Sequence, residues 1–204
     1  MTIVFNLGGN EMDFLSFVKN ARTCRRFAED KPLQAKDLDW LIECARFTPS
    51  ARNAQLVRFI EVLDEQCEKL FPFTHWAMAL KDWKGPYEGE RPTAFLALLL
   101  PEKSSSIAYI DLGIVAQTIQ LAASSRGIGC CIIKSFDQEK THALLSPQAP
   151  YTVELLLGLG VAVEKREAVD VEAGGDLTYW RNEEGVHFVP KRTQKELLLA
   201  RLGE

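Results

Sequence analysis

Ile107–Arg126 reads IAYIDLGIVAQTIQLAASSR and runs straight into Gly127-Ile128-Gly129 and the apolar stretch Cys130–Ile133. Its apolar residues occupy nearly the whole circumference of a helical wheel, the pattern of a helix buried on all sides. In a chain this small, one cover for such a helix is a second subunit. Gly127 supplies a C-terminal stop, and Cys130–Ile133 makes a short buried strand. Downstream, Asp137–Leu145 reads as a helix and Thr152–Val163 as another buried strand, while upstream Thr93–Leu100 is a continuous apolar run of the same kind. Val57–Leu63 adds a strand and Asp64–Leu70 a short helix. Two amphipathic helices precede them, one around Phe14–Val18 and one marked by Leu38, Leu41, Ile42 and Ala45, which Pro49 closes. Glu164–Lys191 reads as polar and irregular, and Thr193–Leu202 as a final helix. Strands interleaved by helices give an α+β chain.

The 204 residues, 47% hydrophobic and 25% charged, suit one soluble domain spanning 1–204. A net charge of −4 argues against a generic nucleic-acid binder, since such affinity comes from Lys and Arg releasing counterions. Any anion site must therefore be local. Met1–Asn10 lacks a basic n-region and an apolar h-region, so no secretory leader is expected. Neither Ala94–Leu100 nor the helix with Asp111, Gln117 and Gln120 reads as a membrane span. Five cysteines (Cys24, Cys44, Cys67, Cys130 and Cys131) form an odd set without CxxC spacing, which favours a reducing cytoplasm over a disulfide framework or a zinc site.

Several motifs fail. Gly127-Ile128-Gly129 and Gly158-Leu159-Gly160 lack the third glycine of a dinucleotide fingerprint, and the second pair lies inside a strand. There is no GxxxxGK[ST], GxSxG or HExxH, and His75, His142 and His187 lie far apart. Cys130 and Cys131 point to opposite faces of a strand and read as core fillers.

Two polar stretches remain. Arg22-Thr23-Cys24-Arg25-Arg26-Phe27 and Pro49-Ser50-Ala51-Arg52-Asn53-Ala54-Gln55 each follow a helix and offer guanidinium, hydroxyl and amide groups suited to an anionic, planar ligand. Taken singly, the arginines could complement a helix dipole and Pro49-Ser50 could be a helix stop. Together with Asp111-Leu112-Gly113, the helix ending in Gly127-Ile128-Gly129, and the late Pro190-Lys191-Arg192, their order and spacing resemble the FMN-dependent nitroreductase family over nearly the whole chain.

The resemblance implies a three-layer α+β sandwich with a central, mostly antiparallel sheet flanked by helices, and an intertwined homodimer with FMN at the subunit interface. By position, Arg22, Thr23 and Arg25 are similar to the run that holds the flavin phosphate and pyrimidine edge. Pro49, Ser50, Arg52 and Asn53 match the loop that reaches the flavin from the partner. Ile132 and Ile133 fall where the ring is flanked, and the backbone N–H near Lys134 and Ser135 falls where N5 is faced. Lys191 and Arg192 fall where the phosphate site is completed. The chain departs from the pattern at Ala21, where an arginine is common, at Thr23 in place of Ser, and at Leu56 in place of Pro.

The implied activity is hydride transfer from NADH or NADPH through flavin N5 to a nitroaromatic, quinone or other conjugated small-molecule acceptor, with no protein nucleophile. A cation at Arg25 would stabilise reduced flavin, and a donor at N5 would polarise the accepting atom. Other readings stand beside it: an FMN sensor or store without rapid turnover, a dehalogenating or flavin-fragmenting enzyme of the same fold, or an apo α+β interaction dimer. The aromatic loop with Phe71, Phe73, Trp76, Trp83 and Tyr87 reads equally as a lid or as a satellite cluster. Tyr179 and Trp180 read as dimer or core contacts.

Overall fold

The computed structural model describes residues 4–7, 10–80 and 82–203. Part of the Met1–Asn10 stretch, and Lys81 within the aromatic loop, lie outside the described residues. In chain order the elements are β1 (Val4–Leu7), β2 (Asn10–Asp13), α1 (Phe14–Asn20), α2 (Ala35–Arg46), β3 (Arg58–Leu63), α3 (Asp64–Leu70) and β4 (Ala94–Pro101). There follow α4 (Ser106–Ser125), β5 (Ile128–Ile133), α5 (Gln138–Leu145), β6 (Tyr151–Val161), β7 (Arg166–Val171), β8 (Trp180–Arg181), β9 (His187–Arg192) and α6 (Gln194–Leu197). They fall into two compact units: residues 23–76 with 84–163, and residues 4–22 with 77–83 and 164–203.

The larger unit is built on a four-stranded antiparallel sheet in the order β3-β4-β6-β5. Strand β4, AFLALLLP, is buried on both faces, which is why its sequence is continuous rather than alternating. Leu96, Leu98 and Leu100 meet Leu38 and Leu41 of α2 and Leu112, Ala116 and Ile119 of α4. Each such side chain withdrawn from water contributes roughly 1.5–3 kcal/mol. On the opposite face, Phe27 and Phe71 lie against Trp76, with ring centroids at 6.4 and 6.1 Å. Trp76 is only 5% exposed, and its Nε1 donates to Thr74 Oγ1 at 2.8 Å. That part of the aromatic loop is thus core.

Helix α4 is covered by this chain on one side only. Its Ala108, Leu112, Val115, Ile119 and Ala123 are buried, but Ile107, Ile110 and Ile114 are 51, 63 and 36% exposed. Residues three and four apart share a helix face, so these isoleucines form an apolar stripe that the chain alone leaves in water. By length and composition the helix could cross a membrane, yet its other side is part of the core.

In the smaller unit β1 pairs with β2, α1 packs against β7, and β9 lies between β7, to which it is parallel, and β8, to which it is antiparallel. Glu164–Lys191 therefore carries three strands, joined by irregular stretches. Pro190 disguises β9, but it lies beyond the short reach of β8, whose Trp180 and Arg181 face Phe188 and His187. Trp180 stacks on Phe188 at 5.3 Å and Tyr179 packs on His187 at 5.2 Å. Arg181 pairs with the buried Glu164 at 2.6 Å and covers the Trp83 ring at 4.1 Å. The last helix is also shorter than expected, ending at Leu197. One helical turn is marginal without a surface to pack on, and Leu199 and Leu202 are almost fully exposed.

Candidate functional site

In the larger unit, residues 23–27 of the arginine run lie across one end of the sheet as an added stretch of backbone. Cys24 N–H donates to the Cys130 carbonyl at 2.9 Å, Ala28 N–H to Val161 at 2.8 Å, and Val163 N–H to Arg26 at 3.2 Å. The approach is possible because Gly129 and Gly160 are cross-strand partners. A Cβ at Gly129 would come within 2.6 Å of Cys24 Sγ, and one at Gly160 within 2.9 Å of Phe27 Cβ. Gly129 and Gly160, one from each GxG pair, are thus a seat for the segment that carries Thr23 and Arg25, both half-buried. Arg26, by contrast, is taken up by a bidentate pair with Glu90.

The second motif closes on itself. Ser50 Oγ accepts from Gln55 N–H at 3.1 Å, and Gln55 Nε2 donates to Asn53 Oδ1 at 3.0 Å. Arg52, Asn53 and Gln55 have φ of 54, 52 and 47°, left-handed conformations that cost free energy in residues with a side chain. Asp111, buried on α4, holds the turn through Ala51 N–H. Pro49, Arg52 and Asn53 are exposed, and beside them Ser50, Leu56, Phe59, Asp111 and Val115 line a cavity of about 260 Å³.

At the end of β5, Ile132 packs with the main core while Ile133 is buried on the other face, where its Cδ1 lies 3.6 Å from the Cβ position of Gly158. Neighbours on a strand cannot share one ring, so at most one of the pair flanks a planar ligand. Lys134 and Ser135 are exposed beyond the strand; Lys134 Nζ is bound to Glu154 at 2.8 Å, and the Ser135 carbonyl accepts from His75 N–H at 2.9 Å.

The smaller unit gathers cations. Arg22, Lys19, Arg166 and Lys191 line a cavity of about 420 Å³ with Glu167 and Asp170. Arg22 Nη2 donates to the Val18 carbonyl at 2.7 Å, while its buried Nε has no acceptor among the described residues. Burial, and next the nearby Arg166, lower the proton affinity of Arg22; burial, and next Arg22, do the same for Lys191. Arg192, on the opposite strand face, is bound by Glu196. Of the two late basic residues, Lys191 alone joins Arg22. Arg166 belongs to no recognised motif; its signal was only the alternation that places Arg166, Ala168 and Asp170 on one face of β7.

Two thiols are held protonated by burial. Burial pushes the Cys67 thiol up to about 12, and burial, with Cys131 and Cys24 behind it, holds Cys130 well above the ordinary range. Among the described residues no cluster of His, Cys, Asp and Glu could hold a metal ion.

Residues 18–161 match the model of the nitroreductase family. The chain belongs to that family. A Streptococcus pyogenes serotype M6 protein that carries the name NAD(P)H nitroreductase Spy0809 is 28% identical, over 76% of this chain and 93% of its own. Two solved structures share the fold. The FMN-dependent nitroreductase from Clostridium difficile R20291 has a TM-score of 0.61 at 21% identity, covering 76% of this chain and 90% of its own. The nitroreductase family protein from Streptococcus pneumoniae TIGR4 has a TM-score of 0.61 at 22% identity, covering 80 and 95%. Nitroreductase membership makes the chain an oxidoreductase and covers the arginine run, the Pro49–Gln55 turn and β5. It stops short of β7, β8 and β9, where Arg166 and Lys191 lie.

Proposed function

We propose that this chain is an FMN-dependent NAD(P)H oxidoreductase that passes a hydride to nitroaromatic, quinone or other conjugated acceptors. One observation carries the reading: the cavity of Arg22, Arg166 and Lys191, in which, among the described residues, a buried guanidinium nitrogen lacks an acceptor and none of the three cations forms an ion pair. Arg22 and Arg166 are half-buried and Lys191 is exposed; a buried donor left without an acceptor is costly, so this set of cations fits a phosphate monoester.

The remaining roles follow from chemistry. Thr23 offers a hydroxyl next to Arg22 in the chain, and Arg25 a guanidinium for the pyrimidine edge, where negative charge gathers on reduction. Ser50, Arg52 and Asn53 sit on a turn held rigid by Asp111, so their polar groups need little reorganisation on binding. The backbone beside Lys134 offers a donor for N5. Bound FMN supplies the hydride acceptor and donor; the protein's part is to hold it, place charge at its two ends and exclude water.

The exposed Ile107, Ile110 and Ile114 face supports the homodimer, since a second copy would bury it. No nucleic-acid or membrane partner belongs to the proposal, and the free thiols suit a reducing cytoplasm. The test is flavin binding by the purified protein. Saturable uptake of FMN with quenched flavin fluorescence is expected; a protein that takes up none excludes both the oxidoreductase and the flavin-storage readings.

A further inference from the structure

Four cations, Lys19, Arg22, Arg166 and Lys191, face two carboxylates, Glu167 and Asp170, around one cavity. The excess of two positive charges complements a phosphate monoester, which carries close to two negative charges at neutral pH. Arg166 is built into this arrangement. Its Nη1 donates to the Arg22 carbonyl at 3.0 Å, which fixes the guanidinium beside Arg22 and, among the described residues, leaves the rest of its five-donor fork for a ligand. It reaches the cavity from the first residue of β7, outside the residues the family model matches. The first position of the arginine run, meanwhile, is Ala21, 2% exposed and without a charge to offer.

We propose that Arg166 binds the cofactor phosphate directly, as the guanidinium that stands in for the arginine missing at Ala21. Arg22 and Lys191 complete the grip. The sheet β7-β9-β8 then has a function: it carries a phosphate ligand on β7 and another, Lys191, on β9. This rests on the FMN reading above, and riboflavin, which is FMN without its phosphate, separates the two.

The test measures the affinity of wild type, Arg166→Gln and Arg166→Lys for FMN, riboflavin and inorganic phosphate, by flavin fluorescence quenching and by phosphate competition. Wild type should prefer FMN strongly over riboflavin, with inorganic phosphate displacing FMN weakly. Charge-assisted hydrogen bonds are worth about 1.5–3 kcal/mol, so Arg166→Gln should weaken FMN by roughly 10- to 100-fold while riboflavin affinity holds. Arg166→Lys, which keeps the charge and loses the fork, should fall between. Should one variant fail to fold by circular dichroism, the other decides. FMN affinity unchanged in the folded variant overturns the role of Arg166 and leaves the FMN reading standing. Equal loss of FMN and riboflavin assigns it a structural role and also overturns the proposal. A wild type that binds neither flavin removes both.

Discussion

Both carboxylate oxygens of Asp111, near the start of α4, accept the backbone N–H of Ala51 at 3.1 and 3.2 Å, across a sequence gap of 60 residues. The buried Asp111 thereby fixes a turn that holds three non-glycine residues at positive φ. Removing the acceptor leaves the Ala51 N–H unpaired next to strained backbone. Asp111→Ala should cost about 1–3 kcal/mol in urea unfolding, and Asp111→Asn, which keeps one acceptor, less. FMN affinity should fall in the same order.

Arg25 and Arg26 are adjacent, yet they should respond differently. Arg26 is consumed by Glu90, so Arg26→Ala should lower stability and spare flavin reduction by NAD(P)H in the folded protein. Arg25→Ala should weaken FMN retention about tenfold and slow its reduction, because a cation at the pyrimidine edge stabilises the reduced ring. Stopped-flow reduction rates and unfolding midpoints separate the two effects.

Cys67 should make stability fall with rising pH. Burial lifts its thiol from an ordinary 9.0 to about 12, so in the unfolded chain the thiol ionises first. Its contribution is whole below pH 9 and is lost as the pH climbs through about 12. In that window the slope should approach ~1.4 kcal/mol per pH unit. Cys67→Ala should flatten it, as urea titrations across the range would show.

Ile110 is the most exposed of the isoleucine stripe on α4. Ile110→Glu should convert a dimer to a monomer in sedimentation equilibrium and lower FMN retention, with secondary structure unchanged.

The sequence carried most of the larger unit because its signals are local. Continuous apolar runs in Ala94–Pro101 and Tyr151–Val161, and helical periodicity in Ala35–Arg46, are direct consequences of what those elements bury. It misread the smaller unit where the determinants are distant. β9 contains Pro190 and depends on pairing with β7, about twenty residues earlier; the final helix stops at Leu197, and Leu199 and Leu202 beyond it lie almost fully in water. The same limit applied to the site. Arg22 and Lys191 were visible as motif members, but Arg166 gains meaning only when β7 puts it against the Arg22 carbonyl. The glycines at 129 and 160, unreadable as a dinucleotide motif, turned out to be room for Cys24 and Phe27.

The most direct test of the central claim is anaerobic. FMN-loaded protein is mixed with NADH and separately with NADPH, its visible spectrum is followed, and a nitroaromatic or quinone is then added. The flavin absorbance should bleach with at least one nucleotide within seconds and return on adding the acceptor. A bound flavin whose spectrum neither nucleotide changes would contradict the oxidoreductase and leave an FMN-binding protein without turnover.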